Sequence, residues 1–460
     1  MDRIPDCTEW AQAQFADAQL EDPRRTRRLI ECAALIASHP EKSFPPVFDW
    51  NQLRAFYDLC GRDEVTLPRI QQPHWEQTRR AMAELPVALV VHDTTELDFT
   101  SHHALRGAGP IGDDNGRGFL QHNSLAFSPD GSRLLGLAYQ QVKVRQPAPK
   151  DETSHARKRR ARESDMWLEG IRAYGTPPEG SAWVDVGDRG ADIYEAMEES
   201  LACGHQFLFR ACQNRVVLAG EEGQKKVRLM DHARGLASEG SDKVEIPGRG
   251  GRPPRTAVVQ LAAAAVRVPP PQGTPQRKTR PTLPAWVVRV WEDAPPTGVE
   301  PLEWVLLSAT RTEGLEQAKQ RRDWYGVRWS VEGFHDVEKN GCSEEDRRFE
   351  TAEAMLACLA LLAVVAVRVF QMRLAVKTMP EAPAEEVATA EEAEVMEQHL
   401  GRKGLTVLQF VRGVAKLGGF LGRKSDGEPG VRALWRGYQR LRDMVAGYRL
   451  RKIQRHLRSG

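Results

Sequence analysis

DWYGVRWSVEGFHDVEKNG, residues 323–341, sets Tyr325, Arg328, Glu332 and Lys339 at offsets of zero, three, seven and fourteen. At about 100° per residue these four fall in a helical stripe about 60° wide and about 21 Å long. One helix face would then present a phenol, a guanidinium, a carboxylate and an ammonium, a surface suited to holding phosphate and metal together. The same spacing also describes a plain amphipathic helix in which Arg328 and Glu332 form an i,i+4 ion pair worth roughly a few tenths of a kcal/mol.

Two acidic segments precede this one. VVHDTTELDF at 90–99 carries Asp93 after an apolar run, and WVDVGDRGADIY at 183–194 carries Asp188. Taken singly, an aspartate in such a place is ordinarily a turn or cap residue, and Asp98, Asp185 and Asp192 stand nearby as competitors. In company, the segments gain meaning. The pattern Tyr-x2-Arg-x3-Glu-x6-Lys, with the two aspartate motifs upstream, resembles the bacterial insertion-sequence transposases of the group that carries a Tyr-Arg-Glu-Lys signature. DPRRTRRL at 22–29, PLEWVLLS at 301–308, KLGGF at 416–420 and ALWRGYQRL at 433–441 extend the likeness over nearly the whole chain.

That resemblance implies an α/β ribonuclease H-like catalytic core in which Asp93, Asp188 and Glu332 form an acidic triad. Phosphodiester cleavage needs a nucleophile made from water and compensation of charge on the leaving oxygen, which two divalent metals supply together. Magnesium prefers a few carboxylate oxygens plus water and phosphate, so two Mg2+ per site are expected, with Mn2+ as a substitute. By similarity Asp93 bridges the metals, and Asp188 and Glu332 each complete one site. Asp192 is expected to cap or buttress the helix that follows it.

The resemblance also assigns DNA contacts. Arg328 and Lys339 would neutralise phosphates while Tyr325 donates a hydrogen bond to one, and Trp304 would stack on a base extruded from the transposon end. Residue by residue, Trp304 between Leu302 and Val305 is by default a core tryptophan. Arg210 is expected beside its strand. Arg24, Arg25, Arg27 and Arg28 concentrate positive charge at a helix start, and by resemblance they bind end DNA. The implied partners are double-stranded DNA, as terminal inverted repeats and as target, and a second copy of the chain in a homodimeric paired-end complex. A regulator that binds DNA without cutting it is the alternative. A two-carboxylate glycosidase leaves the arginine cluster, Lys339 and the basic C-terminus without a purpose.

At 460 residues the chain is too long for one ordinary core. Its formal charge of +2 hides an asymmetry. Residues 381–397 hold seven Glu and no Lys or Arg, whereas 401–460 hold fifteen Lys plus Arg against three acids. A basic block of this kind suggests a polyanionic partner. The seven cysteines are scattered without CxxC spacing, which argues against a disulfide framework or a structural zinc. MDRIPDCTEW lacks a signal-peptide core, so a bacterial cytoplasm is expected. The apolar run Met355–Val367 is short for a membrane span and reads as a buried helix.

The expected organisation has four parts. Residues 1–70 form a helical end-binding domain and 71–370 the catalytic domain. The latter contains short strands at Val87–Val91 and Trp183–Val186, a hairpin of Asn123–Phe127 with Leu134–Val144, and a basic loop at His155–Arg162. A β-rich insertion at about 213–300, with strands at Thr256–Val268 and Ala285–Trp291, separates Asp188 from Glu332. The core resumes with Trp304–Leu307 and an unbroken helix at Tyr325–Lys339. An acidic linker at 371–400 leads to a basic helical dimerisation region at 401–460, where Leu434, Tyr438, Leu441 and Val445 line one apolar edge; packing within a C-terminal helical bundle would bury it, and the resemblance directs it instead at a partner subunit.

Overall fold

The computed structural model describes residues 7–113, 115–146, 163–220, 225–246, 254–272, 277–423 and 429–459. The segment His155–Arg162 lies outside them. Helices α1 (Cys7–Phe15), α2 (Pro23–Ser38), α3 (Trp50–Cys60) and α4 (Leu67–Ala83) come first. Asp22 begins α2 by accepting the Arg24 amide, and Pro23 fits the first helical position because its missing N–H has no helical partner there anyway.

The centre of the molecule is a mixed sheet. Its strands are β1 (Val87–Asp98), β2 (Gly109–Ile111), β3 (Gly116–Phe127), β4 (Leu134–Lys143), β5 (Ala182–Gly187), β6 (Gln206–Arg210), β7 (Val216–Ala219), β8 (Lys225–Arg228), β9 (Gly240–Ile246), β10 (Arg255–Val268), β11 (Leu283–Trp291) and β12 (Glu303–Ser308). In space the order is β2-β3-β1-β5-β6-β12-β11-β10-β7-β8, with β4 also on β3 and β9 also on β10. The pairs β1–β5 and β5–β6 are parallel, and the other pairings are antiparallel. Helices α5 (Asp165–Ala173) and α6 (Tyr194–Ala202) form the crossovers around β5. The strands at 216–291 continue this sheet through the β11–β12 ladder, with the short helix α7 (Leu229–Arg234) among them.

Four readings of the sequence need correction. β1 does not stop at His92-Asp93 but runs to Asp98, because β3 pairs with it from Leu89 to Asp98. The Tyr325–Lys339 segment is not one helix. Helix α8 (Gly314–Gly326) ends at Gly326, α9 (Trp329–Asp336) follows, and a π-helical turn spans Val337–Gly341. Glycine weakens a helix interior by about 1 kcal/mol, and the break lets Tyr325 pack under Trp304 while Phe334 packs on Phe370.

The acidic stretch is not an open linker. Helix α10 (Ala352–Thr378) reaches into it, and α11 (Ala390–Leu400) fills its end, started by a capping box of Thr389 with Glu392. The apolar edge of the C-terminal region is also already covered. Leu441 and Val445 are buried with Met396, Phe410 and Val414 of α11 and α12 (Val407–Leu417), and Leu434 and Tyr438 of α13 (Val431–Ser459) pack on the same cluster. Helix α10 is apolar on all sides and long enough to cross a membrane, but its most hydropathic window is 83% buried among α2, α3, α4 and the sheet. It is the core helix expected from Met355–Val367.

Candidate active site

Asp93 and Asp188 are brought together by strand register. β1 and β5 run parallel with His92 opposite Gly187, so the next residue of β1 is Asp93 and the residue just past the end of β5 is Asp188. Adjacent strands lie about 4.8 Å apart. Beyond His92, β1 follows β3 alone, so β1 and β5 part there. In open α/β sheets, crevices at the carboxyl ends of parallel strands are where ligands bind. Asp188 is held by the Gly190 amide at 2.7 Å, and Asp93 by the Thr94 amide at 2.9 Å.

Glu332 stands in the first turn of α9, near enough for its charge to act on Asp93. Arg328, in the break before α9, donates to its Oε1 at 3.2 Å. The electrostatics place all three acids in one field. Burial first, then the charge of Asp188, with a smaller contribution from Glu332, push Asp93 up to about 6; Arg328 and the Thr94 amide oppose this. Among the described residues no three His, Cys, Asp or Glu side chains are grouped closely enough to hold a metal ion. Carboxylate oxygens are nevertheless the donor type that magnesium takes, together with water and substrate phosphate.

The other members of the signature take up different posts. Tyr325 is buried, edge-on to Trp304 at 5.2 Å between ring centroids, and its hydroxyl has no hydrogen-bond partner. Trp304 is 8% exposed, which is the core-tryptophan alternative. Arg328 is buried against the faces of Tyr325 and Trp329. Lys339 donates to the Glu96 carbonyl at 2.6 Å and pairs with Glu345 at 3.6 Å, so it braces β1. Arg210 lies opposite Leu306 and donates to the Glu303 carbonyl at 3.3 Å, beside Trp304 as expected. In α2, Arg24 pairs with Asp22 at an exposed site, Arg25 with Glu64 at 3.2 Å and Arg28 with Glu31 at 3.2 Å. Asp192 does not cap α6. It is fully buried and accepts the amides of Cys212 and Gln213, so it buttresses the turn after β6.

Two buried polar networks flank Asp93, and sequence reasoning missed both. On one face of the sheet, His92 and His205 each lie 3.2 Å from a different oxygen of Asp185, Tyr174 donates to the same carboxylate, and Ser124 meets His92 at 2.9 Å. Burial alone would raise Asp185, but His205 and then His92 hold its carboxyl below the usual range. On the other face lie Asn123, opposite Asp93 in the β1–β3 register, with Gln140 and Glu338. A signal was present in Gln121-His122-Asn123-Ser124, four polar residues in succession within a strand that is buried there on both faces.

Two family models match parts of the chain. Residues 7–65 match "Transposase DNA-binding", and residues 364–456 match "Transposase Tn5 dimerisation domain". Among solved structures, the chain resembles the cryo-EM structure of the piggyBac transposase synaptic complex with hairpin DNA. The identity is 10%, the TM-score 0.36, and the match covers 96% of this chain and 84% of that one, a likeness too weak to bear on fold or function.

Proposed function

We propose that this chain, an insertion-sequence transposase of the Tn5 kind by its DNA-binding and dimerisation domains, cuts and joins DNA with Asp93, Asp188 and Glu332. The observation that carries the reading is the register of β1 and β5, which sets two aspartates side by side where the strands part, with Glu332 raising the proton affinity of Asp93. The succession β4-β3-β1-β5-β6, parallel across its last three strands, supports a ribonuclease H-like core.

The three carboxylates would hold two Mg2+, which when bound supply an activated water and neutralise charge on phosphate oxygens. Arg328 orients Glu332 and adds positive charge beside Asp93. Water attacks the phosphodiester at a transposon end and frees a 3′-hydroxyl. That hydroxyl attacks the opposite strand, displacing its 3′-oxygen and closing a hairpin. A second water opens the hairpin, and the freed 3′-ends attack target DNA. Each exchange makes one phosphodiester bond as it breaks another, so no nucleotide cofactor is required. The domains proposed are 1–70 for end binding, 71–370 for catalysis and the C-terminal helices for pairing two copies.

The test is denaturing electrophoresis of end-labelled DNA carrying the inverted repeats that flank the coding region. In Mg2+ it should yield a nick, then a hairpin-length product, then cut ends, all suppressed by EDTA. Binding without cleavage in either Mg2+ or Mn2+ would favour the regulator reading.

A further inference from the structure

We propose that Glu338 is a positioning residue that locks the segment carrying Glu332 onto the strands beside Asp93 and thereby sets the separation of those two carboxylates. The inference rests on the assignment of Asp93 and Glu332 as metal ligands. Glu338 is fully buried on the π-helical turn that directly follows α9. Its two oxygens accept from Asn123 Nδ2 at 2.9 Å and Gln140 Nε2 at 3.2 Å. Asn123 is the cross-strand partner of Asp93. Gln140 also donates to Asn123 Oδ1 at 2.8 Å, and Gln71 ties Gln140 to the Ala360 carbonyl of α10.

The chain therefore runs without a gap from the catalytic helix, through Glu338, to the residue opposite Asp93. Its neighbour Lys339 grips the β1 carbonyl of Glu96 at 2.6 Å, so the π-turn is fastened to β1 and β3 at two successive residues. π-turns within helices gather at functional sites. The arrangement is costly: burial first, then Glu344, push the Glu338 carboxyl well above its ordinary range. An apolar side chain would fill the same space more cheaply, but it could not fix the register of the two amides.

The experiment titrates Mn2+ into the full-length protein without DNA, read by electron paramagnetic resonance, and measures nicking in parallel, for wild type, Glu338→Ala, Glu338→Leu and Glu338→Gln. Thermal melting and end binding are followed on the same samples. Alanine and leucine should weaken Mn2+ binding and raise the half-saturating Mn2+ for nicking by about 10–100-fold, the usual cost of losing an outer partner of a metal ligand. End binding should be retained, and glutamine, which still offers an acceptor to the amides, should recover most of the loss. A merely structural role lowers the melting temperature while leaving the metal affinity of the folded protein as in wild type. That result in the leucine or the alanine variant overturns the proposal. Failure of the wild type itself to bind Mn2+ or to nick would instead overturn the assignment of the triad.

Discussion

Asp93 is a partly buried carboxylate with other carboxylates beside it, and this has a measurable consequence. Its folded-state pKa of about 6 exceeds the ordinary 3.8, so between those values the folded protein holds a proton that the unfolded chain has lost. Metal-free stability therefore falls as pH rises from about 4 to about 6, by up to about 3 kcal/mol from this group, and stays lower above that. Asp93→Asn removes the charge and should raise the melting temperature at pH 8 in EDTA while having little effect at pH 4. Mg2+ should raise the melting temperature of the wild type more than that of the variant. Equal melting of both proteins at pH 8 would remove the cost of the partly buried, crowded charge from the account.

Trp304 is a second residue-scale case. Buried against Tyr325, it should cost about 3–5 kcal/mol on substitution by alanine, visible as a large loss in denaturant or thermal melting. A variant that melts like the wild type yet stalls after the first nick would restore the base-stacking role implied by the resemblance. The three acids stood out in the sequence because each lies in a motif with recognisable neighbours. The i,i+4 pair of Arg328 with Glu332 could be read from spacing, but the posts of Tyr325 and Lys339 could not, since helical spacing assumes a straight helix and the break at Gly326 abolishes that assumption. Glu338 and Asn123 escaped notice because their hydrogen bond joins positions far apart in sequence and has no periodicity to reveal it.

At the scale of elements, α2 presents its arginines unequally. Arg25 is half-buried with Glu64 and the Leu20 carbonyl, whereas Arg24, paired with Asp22, and Arg27 are exposed at the helix start. Arg24→Gln with Arg27→Gln should weaken end binding and flatten the log-log salt dependence by about 0.9 for each phosphate that is no longer neutralised. An unchanged slope places that face away from DNA. The strands were mostly legible, because β-branched runs and the turn Ser128-Pro129-Asp130-Gly131 mark them. The C-terminal end of β1 was not, since how far the strand runs is set by the partner β3 rather than by its own composition. The acidic run was misread for a related reason: composition registered the glutamates but not the capping box that turns them into α11.

For the whole molecule, the C-terminal helix is part of the fold before it is part of any dimer. Arg442 of α13 donates to Ser38 Oγ at 2.8 Å, and Leu441 and Val445 are buried among α11 and α12. Deleting residues 431–460 should therefore lower the melting temperature and expose Met396 and Phe410, giving aggregation on size-exclusion chromatography as well as loss of paired-end complexes. A stable truncated monomer that still binds single ends would mean that α13 serves pairing alone.

The central claim is that one cluster of three carboxylates performs the chemistry while other surfaces hold the DNA. It is tested most directly by nicking of a supercoiled plasmid bearing the flanking inverted repeats, with gel-shift affinity measured on the same preparations of wild type, Asp93→Ala, Asp188→Ala and Glu332→Ala. The account predicts that only the wild type nicks in Mg2+ and that all four proteins bind the end with similar affinity. Nicking near the wild-type rate by any of the three variants would contradict it.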